Sequence, residues 1–188
     1  MRVLFAFLFF LVMSNSLTSN IRPVPWLVED AIEFMGIYFE KNSSAKVLEF
    51  GSGASTIWLS DRVKELHSVE HDQAWHSLIS RIIYSEKRRS EVFLYRMNIP
   101  YNSICDQFFD EYFDFIIVDG RNRKACLSSS IRLLKKGGIL MLDNSEREYY
   151  HSIFDLMKGW VSQKSIQTHP DSCGFYYEGW ETRWWIKP

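Results

Sequence analysis

Cysteine is scarce in this chain: there are three, Cys105, Cys126 and Cys173, widely separated and odd in number. They form no Cys-x-x-Cys pair and no zinc-ligand spacing, which argues against a disulfide framework and against a structural zinc site. That usage suits a reducing compartment. Net charge is nearly absent too, at -1. A nucleic-acid binder normally presents a basic face, so no nucleic-acid partner is indicated. The short basic clusters Lys87-Arg88-Arg89 and Lys135-Lys136 fall at expected helix ends, where cations offset the helix dipole. Internal repeats and low-complexity linkers are missing, and no apolar run reaches the ~20 residues that a membrane-spanning helix needs.

What is present fits a globular domain. The chain has 188 residues, 46% hydrophobic and 24% charged, enough to bury a core and too apolar for disorder. Residues 1–20 stand apart. After Met1 and Arg2 comes the apolar run 3–13, then the polar stretch 14–20, the pattern of a secretory signal peptide or anchor. Membrane contact through residues 3–13 is one expectation, and an extension packed on the domain is the other.

From Pro23 the pattern turns regular. Residues 26–39 place Leu27, Ala31, Phe34, Met35 and Tyr38 at helical spacing. Beyond Asn42-Ser43-Ser44, short apolar runs alternate with longer amphipathic ones. Strands are expected over 46–50, 65–70, 91–96, 113–119 and 138–143, and helices over 55–63, 73–86, 123–134 and 148–159. Such alternation is the mark of a parallel sheet with helices on both faces. Phe115-Ile116-Ile117-Val118 is continuously apolar, as a strand covered on both sides should be. The tail departs from the rhythm: 161–168 and 182–187 read as two strands with only a loop between them, which permits an antiparallel pair alone. The expected fold is α/β, a doubly wound, mostly parallel seven-stranded sheet with a C-terminal antiparallel strand. Trp180, Trp184 and Trp185 alternate faces there, one expected in the core and another over an edge.

The most informative motif is Glu49-Phe50-Gly51-Ser52-Gly53, with Ser55 and Thr56 following. It falls where a strand ends and a helix begins, at the edge where open α/β sheets bind ligands. Gly51 and Gly53 let the backbone turn tightly and approach a ligand, and amides opening the next helix favour an acceptor group such as a carboxylate. As a dinucleotide fingerprint the motif fails at its third glycine, where Thr56 stands. The next strand closes with Ser68-Val69-Glu70-His71-Asp72, which places the Glu70 carboxylate to accept both hydroxyls of a ribose.

These two segments resemble the first two cofactor motifs of class I S-adenosylmethionine-dependent methyltransferases, and the resemblance extends over about residues 25–188. It implies a Rossmann-like methyltransferase domain over residues 23–188 with S-adenosyl-L-methionine as cofactor. Glu49, Gly51, Ser52 and Gly53 would flank the methionine part of the cofactor, Glu70 would hold the ribose, and Asp119 would lie beside it. Arg96-Met97-Asn98 would lie near the adenine, without the acidic residue that many family members place there. Because that cofactor is made in the cytosol, the implied location of the domain is cytoplasmic, while residues 1–20 point to anchoring or secretion.

A second constellation joins Asp119, after the fourth expected strand, with Asp143 and Asn144, after the fifth. Two carboxylates and an amide oxygen suit a hard divalent cation such as Mg2+, which promotes ionisation of a substrate hydroxyl. The arrangement is similar to that of catechol-type O-methyltransferases and implies catalytic and metal-ligating roles for Asp119, Asp143 and Asn144. Those enzymes usually carry a lysine where this chain has Asn122. The alternatives for the same residues are a metal-free polar site and simple helix capping. Arg121, Arg123 and Arg147 gather at this edge and can clamp an anionic group, and His151 is a candidate proton acceptor. The expected activity is methyl transfer to an oxygen or nitrogen of a small-molecule acceptor. Two alternatives stay open: an NAD(P)-dependent oxidoreductase, which Glu70 also suits, and a non-catalytic Rossmann-like binding module.

Overall fold

The computed structural model describes residues 21–171 and 174–188; the apolar segment at 1–20 lies outside the described residues. Among the described residues no helix is long and apolar enough to cross a membrane. In chain order the elements are α1 (Glu29–Lys41), β1 (Lys46–Phe50), α2 (Ala54–Leu59), β2 (Glu65–Glu70), α3 (Gln73–Ser85), β3 (Glu91–Arg96), β4 (Phe113–Val118), α4 (Arg123–Ser130), β5 (Leu134–Asp143), α5 (Glu148–His151), β6 (Val161–Ile166) and β7 (Glu181–Ile186). Seven strands form one sheet in the order β3-β2-β1-β4-β5-β7-β6. The first five are mutually parallel, and β7 runs against both of its neighbours.

Alternate residues of each central strand feed opposite cores. Val47, Phe115, Ile117 and Met141 pack with Ala31, Met35 and Phe39 of α1. Leu48, Ile116, Val118 and Leu140 pack with Cys126 and Leu127 of α4 on the other face. The buried residues of α1 recur every fourth position, and its ends carry Glu29, Asp30 and Lys41, signs that complement the helix dipole. Its first amides are satisfied from the C-terminal end of the chain: Val28 N donates to Thr182 Oγ1 (3.4 Å) and Glu29 N to Gln167 Oε1 (3.0 Å). Asp72 caps α3 by accepting from Trp75 N at 2.7 Å.

The helices expected over 55–63 and 123–134 end earlier, at Leu59 and Ser130, and three further expectations change. The strand expected from Gly138 starts at Leu134, because a register shift between Phe113 and Phe115 takes up the extra residues as a bulge. The helix expected over 148–159 breaks after His151. Ile153, Leu156, Lys158 and Trp160 instead donate to carbonyls three residues back, a tighter winding that still aligns apolar residues at threefold spacing. All three tryptophans of the tail are buried. Trp184 and Trp185 enter opposite cores because β7 is an interior strand and β6 takes the edge.

The central pair β1 and β4 positions the site. Their register carries Phe50 opposite Val118, so the turns that leave them emerge side by side. Gly51 has φ +103°, and a Cβ there would lie 2.8 Å from Gly120 Cα. A Cβ on Gly120 would lie 2.0 Å from the Tyr101 hydroxyl and 3.0 Å from Phe50 O. Tyr101 is fully buried, stacks on Phe50 and accepts from Arg121 N, so its ring has no room to yield. Gly120→Ala is expected to destabilise the fold by roughly 2–3 kcal/mol, read as a lower urea midpoint at unchanged m-value. Adding Tyr101→Phe should recover part of the loss by removing the clashing oxygen.

Candidate active site

Glu49 ends up fully buried behind the turn that it precedes. Its carboxylate accepts from Ser55 Oγ at 2.5 Å, Thr56 Oγ1 at 2.6 Å and Ser68 Oγ at 2.5 Å. Gly53 N donates in turn to Thr56 Oγ1 at 2.7 Å, and the Ser52 and Ser68 hydroxyls meet at 2.7 Å. The network ties the turn after β1 to β2. Burial pushes the Glu49 carboxyl up to about 7; the hydroxyls of Ser55, Ser68 and Thr56 pull the other way, and Glu70 adds to the rise.

In front of this network lies a cavity of about 1430 Å³, bounded on the sheet side by Gly51, Gly53, Glu70, Trp75 and Asp119. Glu49 is not part of its wall. The fold does not require a glycine at position 53, whose Cβ would meet nothing closer than Trp75 Nε1 at 4.0 Å; the space it leaves is open cavity. Trp75 Nε1 donates to Ser52 O at 2.6 Å, which pins the turn from the α3 side. Glu70, 5% exposed, accepts through Oε1 from His71 N (2.7 Å) and Asp72 N (2.8 Å), with His71 Nδ1 also at 2.7 Å. Its Oε2 has no hydrogen-bond partner among the described residues, and Glu70 lines the cavity. Arg96, Met97 and Asn98 do not line the cavity.

The cavity is lined further by residues from 21–33, Trp26, Glu29 and Glu33 among them, and by Arg147 and Tyr150. Trp26 stacks on Phe175 with ring centroids 5.8 Å apart, which joins the N-terminal wall to the loop before β7. Arg147 was expected at this edge and lines the cavity; the sequence reading missed residues 21–33, Tyr150 and Trp75. Trp75 carried one usable signal, its place three residues after the capping Asp72; residues 21–33 carried none. His151 is exposed on α5 and lies outside the cavity, whereas Arg121 lines it.

The expected oxygen triad does not assemble. Of Asp119, Asp143 and Asn144, only Asp119 lines the cavity. Asn144, in a left-handed backbone conformation, donates through Nδ2 to Tyr177 OH at 2.8 Å. Asp143 is buried and accepts through Oδ1 from Thr182 Oγ1 (2.7 Å) and Trp180 Nε1 (3.1 Å). Arg123 pairs with both carboxylates, its Nη2 3.0 Å from Asp119 Oδ1 and its Nη1 3.8 Å from Asp143 Oδ2. The expectation of Mg2+ on these residues is therefore corrected: a permanent cation already pairs with both carboxylates, and Asp143 and Asn144 do not line the cavity with Asp119. Among the described residues no cluster of three or more His, Cys, Asp or Glu can hold a metal ion.

Asp119 keeps a quarter of its side chain open to the cavity. Burial nevertheless raises its carboxyl well above the ordinary range, and Asp143 raises it further, against the opposing pull of Arg123. Burial likewise raises Asp143, opposed by Arg123, Thr182 and Trp180. A carboxyl held in this way, at the wall of a cavity, accepts protons more readily than a solvated one.

The sequence profile of a family described as a methyltransferase domain matches residues 48–145, just over half of the chain. Among curated proteins no sequence matches. Solved structures share the fold. An O-methyltransferase from Bacillus cereus, solved with S-adenosylhomocysteine, aligns with a TM-score of 0.67 at 17% identity over 94% of this chain and 90% of its own. A methyltransferase-like protein from Silicibacter pomeroyi aligns at 0.64 and 20% identity over 89% and 90%. The O-methyltransferase TomG from Streptomyces achromogenes, solved with S-adenosylmethionine, aligns at 0.63 and 14% identity over 82% and 78%.

The raised carboxyl of Glu49 has a thermodynamic consequence. An acid whose folded value lies above its unfolded one stabilises the fold at low pH, and that contribution is lost as pH rises through the folded value. With a shift from 4.5 to about 7, wild type should lose roughly 3 kcal/mol across that window from this group. Glu49→Gln, which has nothing to ionise, should lack that component. Urea unfolding at about pH 5 and about pH 8 should show the variant gaining on wild type at the higher pH.

Proposed function

This chain belongs to the class I S-adenosylmethionine-dependent methyltransferases, and from that premise we propose that it methylates an oxygen, or failing that a nitrogen, of a small-molecule acceptor. The observation that carries the reading is the free Oε2 of the buried Glu70 facing an open cavity beside Gly51 and Gly53. Glu70 would hold the two ribose hydroxyls of the cofactor. The backbone of the 51–53 turn would lie along its methionine part, with Glu49 holding that turn from behind. When bound, the cofactor would supply an electrophilic methyl group carried on a sulfonium.

The residues of this chain then have two tasks. The first is alignment: the cavity fixes the acceptor against the donor, and orientation alone contributes several kcal/mol to such displacements. The second is removal of the acceptor proton, and Asp119 is the carboxylate at the wall suited to take it. The fold shared with two O-methyltransferases supports an oxygen acceptor. A volume of about 1430 Å³ exceeds the ordinary span of small-molecule pockets, about 300–1,000 Å³, which supports cofactor and acceptor side by side.

Calorimetric titration with S-adenosylhomocysteine tests the reading. Wild type should bind in the micromolar range, and Glu70→Ala should bind about tenfold or more weakly, because hydrogen bonds to a charged group contribute about 1.5–3 kcal/mol. Absence of wild-type binding, or equal affinity in the variant, would overturn the assignment.

A further inference from the structure

Arg123 is held more closely than an ordinary ion-pair partner. It opens α4 four residues after Asp119, and Asn122 before it has φ +53°, which turns the chain back on itself. All three guanidinium nitrogens are then used: Nε donates to Gly120 O at 2.9 Å, Nη2 to Asp119 O at 2.7 Å and to its Oδ1 at 3.0 Å, and Nη1 to Asp143 O. The side chain is 9% exposed. Three main-chain carbonyls and two carboxylates thus converge on one guanidinium, across the ends of the adjacent strands β4 and β5.

We infer that Arg123 is the resident cation of this carboxylate pair and stands in for the divalent metal that a pair so placed would otherwise recruit. A guanidinium does not lose its proton in a protein, so the positive charge is permanent. A divalent ion between Asp119 and Asp143 would face that charge at contact distance. Displacing the arginine would instead leave three carbonyls without their donor. The guanidinium also does what a ligated ion would do for geometry: it fixes Asp119 against the cavity wall and opposes the repulsion from Asp143. Arg123 is accordingly a positioning residue. The participation of Asp119 in proton removal rests on the methyl-transfer reading, whereas the occupancy of the cation place does not.

Manganese binding to the full chain, followed by loss of the free Mn2+ signal in electron paramagnetic resonance, tests this. Wild type should leave the signal of millimolar Mn2+ unchanged. Arg123→Gln should bind Mn2+ at least about tenfold more tightly than wild type, since the repelling charge is gone. That gain should vanish when Asp143→Asn is added, and Arg123→Lys, which keeps the charge, should show none. The inference is overturned if wild type binds Mn2+ stoichiometrically and loses it on Asp119→Asn. It is equally overturned if a folded Arg123→Gln, with wild-type circular dichroism, gains no affinity. Should Arg123→Gln not fold, the wild-type and Arg123→Lys measurements decide. Failure to bind S-adenosylhomocysteine in parallel would remove the methyltransferase reading and leave this result standing.

Discussion

The turns that leave β1 and β4 touch at two residues without side chains, and the geometry of the carboxyl edge depends on that contact. Gly51 and Gly120 stand so close that a methyl group on either would meet the other's backbone. The parallel register of the two strands sets this closeness, because it ends both strands at the same level. With the turns in contact, Gly51 and Ser52 after β1 and Asp119 and Arg123 after β4 line one cavity. A fold with the same strand order but a wider gap between these turns would separate them.

The electrostatics of this edge follow from how each carboxylate is satisfied. Glu49 is met only by neutral hydroxyls, so burial dominates and its carboxyl rises. Glu70 is met through one oxygen by two main-chain amides and an imidazole, and its other oxygen faces the cavity. Asp119 and Asp143 share a single guanidinium. The cavity wall itself is mixed in sign, since Arg22, Arg121, Arg123 and Arg147 line it together with Glu70 and Asp119.

The outer wall has a different origin. Residues 21–33 belong to no recognisable motif, yet many of them line the cavity, held by Thr182 and Gln167 at the start of α1 and by the stacking of Trp26 on Phe175.

Periodicity and turn chemistry are local properties, and what depends on them could be read from the sequence. The strand–helix alternation, the antiparallel tail and the placement of Gly51, Gly53 and Glu70 at strand ends all follow from spacing along the chain. Partner choice is not local. Whether Asp143 meets a metal, a cap or a guanidinium depends on Arg123 arriving from the neighbouring strand end and on Thr182 arriving from β7, 39 residues away. The same holds for Glu49, which the motif places at the ligand and the packing of Ser55, Thr56 and Ser68 places behind it. Sequence alone determined which groups reach the carboxyl edge; only the tertiary structure decided which of them face one another, because a hydrogen bond or ion pair depends on distances that the order of residues does not contain.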